Sequence, residues 1–336
     1  MFLPPAVWFP VALYVALYVG RRLALFLRGD ANVGLLLLGR LREGALDGRV
    51  VWITGASRGL GLALARYYAR QGAKLILSSR KIEALEKVKA ACEGSHAADA
   101  VLLPVDLSDS AEALSKAVDS AFAAFGGAGV DYIVHNAGVG QSGLAVSNRA
   151  EIVEPIFRTN TVGPIVLTQL ALPKMMEQKR GRFIVVSSLA AKIPTPGQTV
   201  YSGSKFALNG YFGALASELA DSPVGVTICC PGPIGPGEGE SPRVLFGSDG
   251  LQQDNLRPSG SAVPADRVAE LVATAGYYHV LECWIAKHPT LLYPYAMRYC
   301  PSLMWWFLMK FGQRRAKARV AGDGYSLKKI LFGKSD

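Results

Sequence analysis

Three side chains in one short segment have the types and spacing for proton chemistry. In VVSSLAAKIPTPGQTVYSGSK, Ser188 is followed thirteen residues on by Tyr201 and four further by Lys205. Positions i and i+4 of a helix share a face, so a helix here turns Tyr201 and Lys205 into one cleft. A phenol with its ordinary pKa of about 10 is a poor proton shuttle at neutral pH. A neighbouring ammonium favours the phenolate, lowers that value and makes the hydroxyl a usable acid or base. A helical tyrosine and lysine four apart are common by chance. The pair therefore gains meaning from the elements that position it.

The clearest of these lies near the start of the main domain. A β-branched run, VVWIT, leads directly into TGASRGLG, Thr54 to Gly61, where a helix begins. Gly55, Gly59 and Gly61 let the backbone pass close to a pyrophosphate, which then rests on the unpaired N–H groups and positive dipole end of that helix. The spacing differs from GxGxxG and lacks the lysine of an ATP-binding phosphate loop, so ATP is disfavoured. With a strand before and a helix after, the glycines favour a dinucleotide over a plain tight turn. An NAD site places a carboxylate about 20 residues further on, at the end of the second strand. Here that place holds Ser78, Ser79, Arg80 and Lys81, with Arg58 inside the glycine turn. Two arginines and a serine suit a 2′-phosphate, so NADP(H) is the expected cofactor, against the alternative of two merely solvated arginines.

Between Arg49 and about Ile285, short apolar runs alternate with longer helical patterns. VVWIT, AKLILS, AVLLPVD, VDYIVHNAG, RFIVVSS and VGVTICCPG read as strands. Helices are expected from the glycine turn to Gln71, through Glu93, near Ala111 to Phe125, from Glu151 to Gln178 and after Tyr201. Strands apolar on both faces belong to a parallel sheet covered by helices on each side, an α/β doubly wound fold. One stretch interrupts the alternation: residues 233–260 are rich in Gly, Pro and Ser, and follow a strand whose C-terminal end should face the ligand. Such a stretch is usually a substrate lid or a disordered segment.

Of the 336 residues, half are apolar and 18% charged, which excludes a disordered chain. The net charge of +10 is concentrated at the ends: +3 falls on residues 1–49 and +6 on residues 310–336, leaving about +1 between. A nucleic-acid-binding face on the main domain is therefore not expected. Five cysteines without CxxC spacing argue against disulfides and zinc, and four histidines show no ligand spacing, so no metal is expected.

Met1 to Gly20 carries no charge, and as a helix rising about 1.5 Å per residue it just spans a hydrocarbon core. Arg21, Arg22 and Arg28 follow the apolar run rather than precede it, which favours an uncleaved anchor over a signal peptide and a cytosolic domain after it. Pro4, Pro5 and Pro10 leave monotopic insertion open. Near the other end, LMWWFLMKFGQRRAKAR sets Trp305, Trp306, Phe307, Met309 and Phe311 beside Lys310, Arg314, Arg315, Lys317 and Arg319. That composition suits a helix at a lipid headgroup layer, or one docked on the protein's own core, or both. The organisation expected is an anchor at 1–28, a linker at 29–48, the main domain at 49–285 and a C-terminal extension at 286–336.

TGASRGLG, Asp106 in PVDL, HNAG at 135–138, Asn160 in RTNTVG, Ser188, YSGSK and PGPI at 231–234 occur in the order seen in classical short-chain dehydrogenase/reductases, which this chain resembles from about Arg49 to Ile285. The resemblance implies a Rossmann fold and a catalytic set of Asn160, Ser188, Tyr201 and Lys205. In it, Tyr201 protonates a carbonyl oxygen as hydride leaves the nicotinamide. Lys205 holds the nicotinamide ribose and lowers the Tyr201 pKa, Ser188 donates to the substrate oxygen, and Asn160 holds a water linking Lys205 to solvent. The cofactor would run along Gly55, Ser57, Arg58, Gly59, Leu60 and Gly61, meet Ser79 and Arg80, and place its adenine by Asp106 and Leu107. It would then pass Asn136, Ala137 and Gly138 and end under Pro231, Gly232 and Ile234.

Two departures stand out. His135 replaces the first asparagine of the usual NNAG and reads as a packed strand-end residue. Gly235, Pro236 and Gly237 stand where a threonine often follows the PG pair. FLRGDANVGLLL and the tail from ECWIAKHP onward resemble the membrane-bound branch named dehydrogenase/reductase member 7. That branch implies the endoplasmic reticulum membrane and NADPH-dependent reduction of steroid, retinoid and other lipophilic carbonyls. A 3-ketosphinganine-type reductase and a non-catalytic NADP-binding scaffold are the competing readings. Members of the family often pair through the helices that here bear Asn160 and Tyr201, so the resemblance adds a second copy of the chain, in a homodimer, to the candidate partners.

Overall fold

Val50–Thr54 is buried at every position, and its side chains alternate between two cores: Val51 and Ile53 join one, Val50 and Trp52 the other. A strand apolar on both faces must sit at the centre of a covered sheet. The computed structural model describes residues 5–92, 99–235, 243–247, 249–250, 252–255 and 262–320. Among these the strands are β1 (Val50–Thr54), β2 (Lys74–Ser78), β3 (Ala100–Leu102), β4 (Tyr132–His135), β5 (Gly140–Gln141), β6 (Gly181–Val186), β7 (Val224–Pro231), β8 (Arg243–Phe246), β9 (Gln252–Asn255) and β10 (Glu282–Ile285). Seven form one parallel sheet in the order β10-β7-β6-β4-β1-β2-β3. The order reverses between β1 and β4, which opens a crevice at the carboxyl ends of those strands.

The helices are α1 (Pro5–Arg28), α2 (Val33–Leu38), α3 (Gly59–Arg70), α4 (Ile82–Cys92), α5 (Ala111–Gly127), α6 (Val153–Phe157), α7 (Gly163–Glu177), α8 (Thr199–Glu218), α9 (Ala265–Tyr277), α10 (Leu292–Tyr299) and α11 (Pro301–Val320). Leu64 and Tyr68 of α3 meet Val268 and Val272 of α9 over one face of the sheet. Leu114 of α5, Leu167 of α7 and Phe212 of α8 cover the other. Burying each such Leu or Val contributes ~1.5–3 kcal/mol, so both layers are strongly held.

Three features depart from the sequence expectations. The single helix expected from Glu151 to Gln178 is interrupted: α6 and α7 flank a wide π-type turn, Arg158–Val162. Within 233–260, β8 and β9 form a hairpin that pairs with β5 in a second, three-stranded sheet, while much of the rest of that stretch lies outside the described residues. The seventh strand, β10, closes the main sheet beyond β7.

The chain before β1 is tied to that closing edge. The stretch 29–48, read from the sequence as a linker, packs against the domain with Ala31, Leu35, Leu41 and Leu46 buried. Asn32 donates from its backbone to Trp284 O at 3.0 Å and accepts from Trp284 N through Oδ1. Asp30 takes a two-pronged bond from Arg267 at 2.9 and 3.2 Å. Phe26, near the end of α1, stacks edge-on against His288 and Tyr295. Residues 10–24 of α1 are exposed, and Pro10–Arg28 is long and apolar enough to cross a membrane. At the other end, α11 docks through Met304, Leu308, Gly312 and Ala316, a stripe with four-residue spacing. The Arg319 side chain and residues 321–336 lie outside the description.

Candidate active site

The crevice between β1 and β4 is made by three glycines that serve different needs. A Cβ on Gly61 would lie 2.0 Å from Gly55 O and 2.9 Å from Ala56 Cα, so α3 approaches the turn only without a side chain there. Gly55, at φ +66°, would meet Ala137 Cα at 2.7 Å. Gly59 has φ +56° and open space where its side chain would be. The start of α3 carries no side-chain cap, since Arg58, which stands there, has no acceptor on its side chain. Its first N–H groups have no intrahelical partner and lie at the positive dipole end, which suits an anion.

The turn is stitched to β4 by side chains. Thr54 Oγ1 accepts from the amides of Asn136 and Ala137 at 3.1 and 3.2 Å and donates to Val134 O. Asn136 Nδ2 donates to Thr54 O and Gly55 O at 3.0 and 3.1 Å. Ser57 is half-buried in the turn, and Leu60 packs inward from α3. At the end of β2, Ser78 is used internally, accepting from Trp52 Nε1 at 2.8 Å, whereas Arg80 and Arg58 are exposed. Ser79 Oγ donates to Lys81 O at 3.2 Å. Arg80, Lys81, Ile82, Glu83 and Pro104 line an open cleft of about 470 Å³. Asp106 Oδ1 accepts from Ser108 N and Oγ at 2.9 and 2.7 Å, forming a tight turn, while Leu107 is buried with its carbonyl against Gly163. The exposed arginines, the uncapped helix and the room at Gly59 fit a phosphate-bearing dinucleotide.

Further along the sheet, the π-type turn carries Asn160 inward, where it is fully buried. Its Oδ1 accepts from Val139 N at 2.8 Å, and its Nδ2 donates to Val139 O at 3.0 Å and Ser204 Oγ at 3.1 Å. Ser204 Oγ donates in turn to Tyr201 O at 2.8 Å, so Asn160 is joined to the helix of Tyr201 and Lys205. Lys205 Nζ donates to Val186 O at 3.0 Å. A Cβ on Gly138 would stand 3.2 Å from Asn160 Oδ1 and 3.6 Å from Lys205 Nζ, so these groups converge on the HNAG segment. Ser188, two residues past β6, accepts from Ala190 N at 3.1 Å and reaches Pro231 O at 3.4 Å. Gly232 N donates to Ile285 O, and Ile234 bridges Val263, which fixes the PGPI segment beside β10.

Residues 49–240 match the short chain dehydrogenase family. The chain belongs to that family. It is 34% identical over 312 residues to Dehydrogenase/reductase SDR family member 7 of Homo sapiens, covering 88% of each chain. A metagenomic short-chain oxidoreductase in complex with NADP superposes with a TM-score of 0.56 at 30% identity, over 69% of this chain and 92% of that one. A short chain dehydrogenase/reductase from Burkholderia phymatum in complex with NAD shares the fold at 24% identity and TM-score 0.62, over 74% and 92% of the chains. This dehydrogenase is an oxidoreductase of the member 7 branch.

Burial sets the charge states near its cleft. Desolvation pushes Lys205 down to about 8, so the ammonium persists at neutral pH and is lost a little above it. His135 is buried, stacks on Phe183 and bonds Thr168 Oγ1 through Nε2 at 2.8 Å. Desolvation pushes it down to about 3, which makes it a neutral packing residue. Thr54, Ser204 and Gln141 also serve the site, although the sequence alone does not single them out. The first two stand inside motifs already singled out, whereas Gln141 carries no local signal.

Proposed function

We propose that this chain is an NADPH-dependent carbonyl reductase acting on a lipophilic ketone or aldehyde at a membrane. The observation that carries the reading is the convergence of Lys205 and Asn160 on Gly138, with Tyr201 one helical turn from Lys205. Bound NADPH supplies the hydride. Tyr201 donates its phenolic proton to the carbonyl oxygen, and the Lys205 ammonium favours the phenolate that remains. Ser188 holds the same oxygen through its hydroxyl. The Asn160 amide is engaged with Val139 and Ser204, so its side chain serves by fixing the turn beside Lys205.

Arg58 and Arg80 support the phosphorylated cofactor, since no carboxylate stands at the end of β2 to hold a bare ribose. Lipid contact is supported at both ends of the chain. Beyond its docked stripe, α11 leaves Trp306 54% and Met309 72% exposed, with Lys310 4.7 Å above the Trp306 ring. Phe26 joins the base of α1 to α10, which packs on α11, so the exposed apolar helix and the aromatic, cationic one belong to the same side of the fold.

The test is consumption of NADPH and, in parallel, NADH by detergent-solubilised protein with a panel of retinals, steroid ketones and quinones. Tyr201→Phe should lower turnover by about two to four orders of magnitude while NADPH still binds. Equal turnover by wild type and variant would reject catalysis at this site, and NADPH binding without turnover of any compound would favour a nucleotide-binding scaffold.

A further inference from the structure

The helix that carries Tyr201 is not capped by its own boundary residue. Gln198 stands at its N-terminal end and makes no side-chain bond to the first turn. The amides of Val200 and Tyr201 instead donate to Oε1 of Gln141, at 2.9 and 3.1 Å. Gln141 lies sixty residues earlier in the chain, on β5, and is fully buried. It is held firmly itself. Its carbonyl accepts from Gln198 Nε2 at 3.1 Å, and it pairs with Phe246 of β8 in the small sheet. The next two residues are also fixed: Ser142 N donates to Phe246 O at 2.9 Å, and Gly143 N donates to Gly197 O at 3.1 Å. Val200 packs with Val139, Ile152, Ile156 and Phe246 in a small apolar cluster around the same junction.

The first N–H groups of a helix need an outside acceptor, and at this half-buried helix start the protein itself supplies one. Here a single amide oxygen receives two of them, one belonging to Tyr201 itself. We propose that Gln141 is a positioning residue for carbonyl reduction, fixing the start of α8 and with it the place of the Tyr201 phenol beside Lys205. The inference rests on the reading of Tyr201 as the proton donor. It also gives the small sheet a role: β8 holds the strand that holds the acid.

Gln141→Leu keeps the volume and removes the acceptor, whereas Gln141→Glu keeps acceptor oxygens and adds a negative charge near Tyr201. Each is compared with wild type and Tyr201→Phe in full-length protein, using the panel compound turned over fastest and NADPH binding followed by its fluorescence. Gln141→Leu should lower kcat on the order of tenfold, because small misplacements of a catalytic group are costly, with the Kd for NADPH within about twofold of wild type. Gln141→Glu should recover most of kcat at its own optimum. Its alkaline limb should move to higher pH, since a nearby carboxylate favours the Lys205 ammonium as well as disfavouring the phenolate.

Wild-type kcat in Gln141→Leu, or an unmoved limb in Gln141→Glu, overturns the proposal. If Gln141→Leu does not fold, the Gln141→Glu limb decides alone. A dead Tyr201→Phe beside an unimpaired Gln141→Leu defeats this inference only, whereas an active Tyr201→Phe defeats the acid assignment and this inference with it.

Discussion

The proposed cofactor half and the proposed substrate half of the cleft are built by different means. Around the cofactor, Gly55 and Gly61 bring backbone against backbone, and Thr54 and Asn136 tie β1 to β4. The residues that make these contacts fall into two short motifs. On the substrate side, the loop between Ser188 and Tyr201 is held from outside. Gln141 caps the following helix, and Met304 and Leu308 of α11 pack on Ile193, with Gly312 against Pro196. The first design leaves room at Gly59 but none for a methyl group at Gly55 or Gly61. The second depends on apolar contacts between distant parts of the chain, which tolerate change gradually.

That contrast is tested most sharply by two alanines two residues apart. Gly61→Ala should cost ~3 kcal/mol or more, because its Cβ would lie 2.0 Å from a backbone oxygen that has no rotamer to escape into. Gly59→Ala meets nothing within 4 Å and pays only for its left-handed φ of +56°, about 1–2 kcal/mol. NADPH affinity should fall in Gly59→Ala beyond what that stability loss explains, since its open side faces the proposed phosphate position. Denaturant midpoints and nucleotide titrations measure both, and equal midpoints for the two variants would remove the distinction.

The counterpart on the substrate side is Leu308→Ala. Truncating this buried side chain should destabilise the docked helix by about 2 kcal/mol, at the lower end for a leucine because one face of α11 is open. The KM for a lipophilic carbonyl should rise more than the KM for NADPH. A parallel rise in both would make α11 a general support rather than part of the substrate half.

The same division governs what could be read from the sequence. The parallel sheet was legible because its strands are apolar on both faces and its helices intervene at regular intervals. The glycine turn was legible because neighbouring residues perform its function. The π-type turn at Arg158–Val162 was hidden, since its sequence continues the helical pattern on either side and the extra residue is fixed by the buried amide of Asn160 bonding to Val139. The pairing of β5 with β8 joins segments about a hundred residues apart, and neither segment alternates clearly enough to announce a strand. The stretch 29–48 read as a linker because its anchoring contacts, Asp30 to Arg267 and Asn32 to Trp284, lie more than 230 residues away.

Lys205 links the two halves, and its removal should separate stability from function. A buried ammonium whose pKa has fallen to about 8 is a cost to folding, felt below pH 8 and relieved as pH rises from there toward its unfolded value. Lys205→Met should therefore stabilise the ligand-free protein at pH 7 by ~1–2 kcal/mol, after allowance for the bond lost to Val186 O. Turnover should collapse at the same time. In the wild type, kcat/KM should fall as pH rises through about 8, where the free enzyme loses the ammonium. A destabilised Lys205→Met would mean that the lysine supports the fold more than it burdens it.

The smallest effect at neutral pH belongs to His135, on the β4 strand shared by both halves. Its folded pKa of about 3 lies below that of an unfolded histidine, near 6.5, so between those values the unfolded chain binds the extra proton and stability falls as pH falls. The slope from this group approaches ~1.4 kcal/mol per pH unit once the pH is well below 6.5 and levels off near 3. His135→Asn carries no such proton. Its stability at pH 7 should differ by the local repacking against Phe183, Phe212 and Thr168, and the gap should then shift in the variant's favour as the solution is acidified. Carboxylates titrating in the same range contribute equally to both proteins and cancel in the difference. Parallel curves of unfolding free energy against pH, from urea titrations between pH 7 and 4, would show that the imidazole takes up its proton in the folded state, through water reaching its Nδ1.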